Sequence, residues 1–228
     1  MTRVTGAVCV AVLMLASVPR PADLRVTSAL AAQAMAVPLD PYLAARASGD
    51  VGIVSGRVYA ERRRPQDPDR PLASTTLLLV PNSETFVRRL EDLKRGSRES
   101  ANAFREAAPA MRRAKDDYED ALWQAGAPQL AVAVATDPDG SFRITDVPAG
   151  AWLLVGWYGQ TVQTHAPKRT KKEQGLYSAG RRVIGFDAVQ IWLRPIIVGR
   201  GELEPIELTD RNVWFSGVEE DTMLDAGR

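Results

Sequence analysis

The sequence is nearly empty of the two residue types that most often build metal and nucleophile sites. It holds one cysteine, Cys9, and one histidine, His165. A single cysteine allows no internal disulfide and no cysteine metal cluster. A single histidine excludes a multi-histidine zinc site and leaves a Ser-His-Asp arrangement only His165 to draw on. That histidine lies in a polar stretch with no acid fixed beside it, so it reads as an exposed loop residue. An excess of charge of one sign is missing as well: Lys and Arg number 29, Asp and Glu 28, for a net charge of +1. Such a balance gives no global attraction to nucleic acid or to an anionic membrane surface. The uncharged apolar run near the N-terminus, residues 6–18, is about 13 residues long, against the roughly 20 needed to span a bilayer. The mature chain is therefore expected to have no stable transmembrane segment. No cofactor motif, metal-ligand spacing or catalytic set stands out, so the chain reads as non-enzymatic, without cofactor or metal.

What is present is enough apolar material for a core. The chain has 228 residues, 45% of them hydrophobic and 25% charged. That fits one domain with an insertion. Arg3, the apolar run and the Ala32-Gln33-Ala34 pattern have the order of an export signal. Residues 1–34 are accordingly expected to be a signal peptide, and the mature protein to be extracytoplasmic, periplasmic or secreted. Residues 35–50, with Pro38, Pro41, Gly49 and several alanines, read as a linker.

From Gly52 the pattern is β. Ile53, Val54, Val58 and Tyr59 surround Gly56, and a charged turn region follows, Arg62-Arg63-Arg64-Pro65 through Asp69-Arg70-Pro71. Residues 75–80 form a second strand. The period then changes. Ser83 can cap a helix carrying Phe86, Leu90 and Leu93. Ser97 can cap a second helix, whose apolar face runs Ala101, Phe104, Ala108, Met111, Ala114, Tyr118 and Leu122. Its other face is charged, and Pro109 is expected to kink or split it. Residues 83–126 are thus a helical hairpin, closed by Gly126 and Pro128. The β pattern returns at residues 130–135. Asp137-Pro138-Asp139-Gly140 is a turn signal in which Gly140 can take positive φ. Phe142 and Ile144 begin a returning strand, Val147-Pro148-Ala149-Gly150 is another turn, residues 152–158 are a further strand and 159–182 a long basic loop, and short strands follow near 183–193, 196–198, 206–208 and 213–215. Residues 219–228 read as a C-terminal tail.

Several of these segments together resemble one family. Residues 52–59 (GIVSGRVY), 70–79 (RPLASTTLLL) and 136–150 (TDPDGSFRITDVPAG), followed by 151–155, are similar to the carboxypeptidase regulatory-like domain. That resemblance implies a transthyretin-like antiparallel β-sandwich, related in shape to carbohydrate-binding modules, and a non-enzymatic role. The expected fold is mainly β: a sandwich over residues 51–218 with the helical hairpin inserted between two of its strands.

One inference goes beyond the resemblance. Along residues 152–158, Trp152, Leu154 and Gly156 share one face, and Leu153, Val155 and Trp157 the other. Both faces are apolar, as they are in Leu77-Leu78-Leu79-Val80. A strand with one wet face should alternate. Something must therefore cover the outer face. The hairpin stripe is the favoured cover, and docking of that stripe on another protein is the alternative.

Candidate binding residues follow from what remains. Trp152 reads as core and Trp157 as lying under the hairpin, which leaves Tyr158, Trp192 and Trp214 as platforms on which a sugar ring could stack. Lys168, Arg169, Lys171 and Lys172 in the basic loop are candidates for contacts to an anionic group. Asp137, Asp139 and Gly140 do not supply the ligand spacing of a calcium loop and are read as a turn. The leading expectation is an exported, non-catalytic binding or structural module, with carbohydrate binding as its most concrete form. The alternative is an adaptor that joins a cell-envelope protein through the hairpin.

Overall fold

The structure is a computed structural model that describes residues 37–162, 181–202 and 205–224. Two sheets pack face to face and a helical hairpin lies across the back of one of them. The chain enters through helix α1 (Asp40–Ala47). The first sheet is centred on β1 (Val51–Ala60). Along one edge β1 pairs antiparallel with β5 (Ser141–Pro148) and then with the short β2 (Arg70–Pro71). Along the other it pairs in parallel with β8 (Gly201–Glu202) and β9 (Ile206–Thr209). The second sheet is wholly antiparallel. Its order is β10 (Phe215–Leu224), β7 (Arg181–Val198), β6 (Gly150–Val162), β3 (Thr76–Pro81) and β4 (Val132–Ala135). The expected mainly β sandwich with an inserted hairpin is what the chain adopts.

Register explains the core. In the first sheet the pairs Val54↔Ile144 and Val58↔Leu208 put four apolar side chains on one face. In the second, Leu77↔Gly156↔Trp192 and Leu79↔Leu154 do the same. All of these side chains are buried. The two faces meet, as the Trp192 indole shows: its Nε1 crosses from the second sheet to donate to the Thr209 carbonyl at the end of β9, at 2.8 Å. The turn signal behaves as its chemistry requires. Gly140 takes φ +80, its N–H bonds the Asp137 carbonyl at 2.8 Å, and Asp139 Oδ1 accepts from the Ser141 amide at 2.9 Å. Those bonds to Ser141 hold the Asp139 carboxyl below its ordinary pKa.

The outer face of the second sheet carries Leu78, Val80, Leu153, Val155 and Trp157, and the hairpin covers it. Helix α2 (Glu84–Gly96) is capped by Ser83, whose hydroxyl accepts from the Phe86 amide. Helix α3 (Ala101–Gln124) turns Ala108, Met111, Ala114, Tyr118 and Leu122 inward, all buried. The Tyr118 hydroxyl reaches the Pro81 carbonyl at 2.9 Å. Arg112 sets its guanidinium 4.7 Å above the Trp157 ring and pairs with Glu219 on β10. The intramolecular cover is thus realised by the stripe read from the sequence. Ala101 and Phe104 at its start stay open, and Phe104, at 39% exposure, leans on Phe215 with ring centroids 6.4 Å apart.

Several expectations are corrected. Residues 35–50 are not a linker through their described part: Val37, Leu39 and Tyr42 are buried, and Asp40–Ala47 is helical. The cap of α3 is Ser100, not Ser97; its hydroxyl accepts from the Ala103 amide, while Ser97 ends α2. Pro109 does not split α3, which runs unbroken through it. The carbonyl that loses its partner there belongs to Arg105, on the exposed side of the helix where water can serve it. Leu130 lies in a 3-10 turn (Pro128–Leu130), and the strand starts at Val132. The short strands expected between 183 and 198 are one strand, Arg181–Val198, that includes Pro195. Pro195 falls past the last β10 pair, Phe215↔Ile191, where that edge needs no N–H donor. The expected tail from 219 is strand as far as Leu224. Among the described residues, no helix is long and apolar enough to cross a membrane.

Candidate functional site

Strand lengths create the site. β6 and β7 run on past the end of β3, whose last pair with β6 is Thr76↔Trp157. The inner side of this overhang therefore leaves the sandwich core. It faces the β1–β2 connection and the turn after β9 instead, and a cleft of about 580 Å³ opens between them. That size lies within the ordinary range for small-ligand sites.

Side-chain parity decides what lines the cleft. Tyr158 and Gln190 are direct cross-strand partners, and Gln160 follows Tyr158 on the same face. One aromatic ring and two amides thus stand together. Opposite them the β1–β2 connection supplies Arg62, Arg63, Asp67 and Arg70, and the turn after β9 supplies Asp210. The backbone of this wall is pinned. The Glu61 amide donates to Asp210 Oδ1 at 2.8 Å, the Arg62 amide to Asp69 Oδ1 at 2.9 Å, and the Asp67 amide to the Arg64 carbonyl at 3.0 Å. The Glu61 carboxylate is taken by Arg211 at 2.9 Å. By contrast, Arg62, Arg63 and Arg70 form no ion pair among the described residues. The site therefore offers free guanidinium donors, amides that both donate and accept, and a phenol.

The sequence candidates fall in different places. Tyr158 is in the cleft. Trp192 is not a platform: it is 1% exposed, and its Nε1 is spent on Thr209. Its position beside Leu77 and Gly156 makes it core. Trp214 is half-buried and fastens the hairpin; its Nε1 donates to Glu91 at 2.8 Å, and the Lys94 ammonium sits 4.5 Å over its ring. Lys168, Arg169, Lys171, Lys172 and His165 lie outside the described residues. Gln160, Gln190 and the three cleft arginines were not singled out from the sequence. The arginines announced themselves only as a charged turn, and the glutamines carried no signal before strand pairing placed them.

A second hollow, about 640 Å³, lies between α2 and α3 on the side away from the sheet. Its floor is Leu93, Ala103, Ala107 and Ala110, and its charged rim is partly engaged internally, as in Arg88–Glu84 and Arg89–Asp117. Among the described residues, no three His, Cys, Asp or Glu side chains gather closely enough to hold a metal.

No protein-family model matches the chain, and no curated protein matches it in sequence. Solved structures give distant likenesses. One is a Pseudomonas aeruginosa protein for which carbohydrate binding has been suggested, at 12% identity and a TM-score of 0.40, covering 70% of this chain and 88% of that one. Another is the pilus backbone RrgB of Streptococcus pneumoniae, at 16% identity and a TM-score of 0.20, covering 45% of this chain and 28% of that one. The full-length major pilin RrgB gives 16% identity and a TM-score of 0.19, over 45% of this chain and 22% of that one. The chain spans under a third of the pilins it matches, and likenesses this remote carry nothing about function.

Proposed function

We propose that this chain is an exported, non-catalytic β-sandwich module that binds carbohydrate in the cleft beside Tyr158. The observation that carries the reading is the register pair Tyr158↔Gln190, with Gln160 next on the same face. A sugar ring has an apolar C–H face and a rim of hydroxyls. An aromatic ring satisfies the first, and amides and guanidiniums, with donors and acceptors in fixed planes, satisfy the second. Tyr158, Gln160 and Gln190 sit on paired strands, so they are held without a folding cost on binding. Export is supported by the basic residue, apolar run and Ala32-Gln33-Ala34 order of the N-terminal residues. The carboxypeptidase regulatory-like resemblance points to the same class of module.

Titration calorimetry with a panel of neutral and acidic oligosaccharides tests this. At least one is expected to bind, with affinity falling about tenfold or more in Tyr158→Ala, whose fold should be unchanged. A folded protein that retains no member of the panel, or binding that ignores Tyr158→Ala and Gln190→Ala together, overturns it. The adaptor reading is favoured by a different observation, the hollow between α2 and α3. The hairpin's apolar stripe is occupied by the sheet, so a partner would meet that outer side. Pull-down of an envelope protein that is lost when Ala103 and Ala110 are made charged, in a chain that still folds, would support it over the cleft.

A further inference from the structure

Resting on the carbohydrate reading of the cleft, we infer that the saccharide it selects is acidic, bearing a carboxylate that Arg62, Arg63 and Arg70 receive. Some charges in and around the cleft are already spoken for. Glu61 and Arg211 neutralise each other at 2.9 Å. Of the remaining carboxylates, Asp210 points one oxygen at the Glu61 amide, 2.8 Å away. Asp67 forms no ion pair among the described residues. Three guanidiniums without ion pairs thus stand against two carboxylates, one of them already accepting a backbone hydrogen bond. The cleft is left with cationic capacity that nothing among the described residues consumes.

Chemistry favours an anionic sugar as the consumer. A guanidinium presents parallel N–H donors that match the two oxygens of a carboxylate, and such bonds are about twice as strong as neutral ones. A neutral sugar offers these forks only hydroxyl oxygens, acceptors comparable to water, so the exchange gains little. Geometry orders the groups as an acidic sugar requires. The ring platform and amides lie on the β6–β7 side, and the arginines on the facing wall, carried by a connection whose amides are pinned at residues 61, 62 and 67. A ring on Tyr158 then turns its exocyclic carboxylate across the cleft.

The test uses the full chain and two probes of equal size, trigalacturonic acid and its methyl ester, which removes the charge and keeps the ring. The acid is expected to bind at least about tenfold tighter than the ester, the worth of roughly one charge-assisted pair. That preference should shrink as salt is raised. The triple variant Arg62→Gln, Arg63→Gln, Arg70→Gln should bind acid and ester alike while melting at the unchanged temperature. Tyr158→Ala should weaken both probes. Equal binding of acid and ester by the natural chain overturns the acidic preference and leaves the sugar cleft standing. A preference that survives the triple arginine change, or vanishes instead in Lys168→Gln, Lys171→Gln, Lys172→Gln, removes the cleft from the interaction and overturns the inference. Retention of neither probe, nor of any neutral oligosaccharide, overturns both readings.

Discussion

Tyr118, three-quarters of the way along the hairpin's long helix, donates its hydroxyl proton to the carbonyl oxygen of Pro81 at the end of β3, 2.9 Å away. The bond ties the insertion to the sheet where the insertion begins. It is reinforced by Phe86 of α2, whose ring stacks on Tyr118 with centroids 4.7 Å apart. Nearby, Tyr42 of α1 bonds the Ala151 carbonyl, which also receives the Asn82 amide. Three segments that are remote in sequence therefore close one corner of the domain through two phenols.

That corner makes stability sensitive to alkali. Burial pushes the Tyr118 pKa well above its usual value, and Tyr42 adds to the effect. Burial also raises Tyr42 itself. A raised folded-state pKa gives stability that is fully present below the unfolded value, about 10 for tyrosine. It is lost as pH rises through the folded value. Urea unfolding should thus show no loss from these groups between pH 7 and 9 and a progressive loss above about pH 10. Tyr118→Phe should cost about 1 kcal/mol at neutral pH and flatten the alkaline fall, with a residual slope from Tyr42. An alkaline limb identical in the two proteins would remove Tyr118 from the account.

The hairpin is a cover, so its removal should expose what it covers. Deleting residues 83–126 and joining the ends with a short flexible linker is expected to give aggregation rather than a soluble sandwich. The deletion bares Leu78, Val80, Leu153 and Val155, all buried in the intact chain. Size-exclusion chromatography reads the result. The milder variant Met111→Ala should fold and lose about 2–5 kcal/mol, because Met111 is 1% exposed in the layer between helix and sheet.

Gly150 should tolerate no side chain. Its φ is +154, and a Cβ built there would come 2.7 Å from Cε1 of the Tyr42 ring. Gly150→Ala must therefore displace α1 or strain the start of β6. Expected are a lower melting temperature and faster tryptic cleavage after Arg46, which is exposed but held by its bond to the Gln129 carbonyl. Unchanged cleavage alongside an unchanged melting temperature would show that Tyr42 yields freely.

Two tryptophans should behave oppositely. Trp192→Ala should cost about 3–5 kcal/mol, since the ring fills the space between the sheets and its N–H bridges them. Trp123 is 72% exposed near the end of α3, and Trp123→Ala should change stability by no more than about 0.5 kcal/mol. Chemical denaturation of the two variants checks both, and comparable losses would contradict the assignment of Trp192 to the core.

Pattern alone was enough for the elements whose signals are local. The two-sided apolar strand at residues 152–158, the helical spacing of Phe86, Leu90, Met111, Tyr118 and Leu122, and the Asp137–Gly140 turn each express a periodicity or a backbone requirement within a few residues of chain. Together they also implied that the hairpin folds back, because apolar area on both faces of a strand has to be shut from water somewhere. Local signals misled where a distant partner overrode them. Residues 35–50 look like a linker because Pro38, Pro41 and Gly49 punctuate them, yet Tyr42 finds Trp152 across the fold, with ring centroids 5.2 Å apart, and α1 is anchored by it. Trp192 looked like a platform because an aromatic residue in a strand can face either way; only register with Gly156 and Leu77 turned it inward.

What the amino-acid order determined by itself is the class of the protein: a two-layer β core, a helical insertion, and a chemistry poor in sulfur and imidazole. The cleft was decided by tertiary structure alone. It exists because β6 and β7 outrun the end of β3, and because the β1–β2 connection, about 100 residues earlier in the chain, folds over the excess. Neither the length mismatch between paired strands nor the meeting of Arg63 with Tyr158 leaves a trace in any short window of sequence, since each depends on hydrogen-bond register summed over the whole sheet.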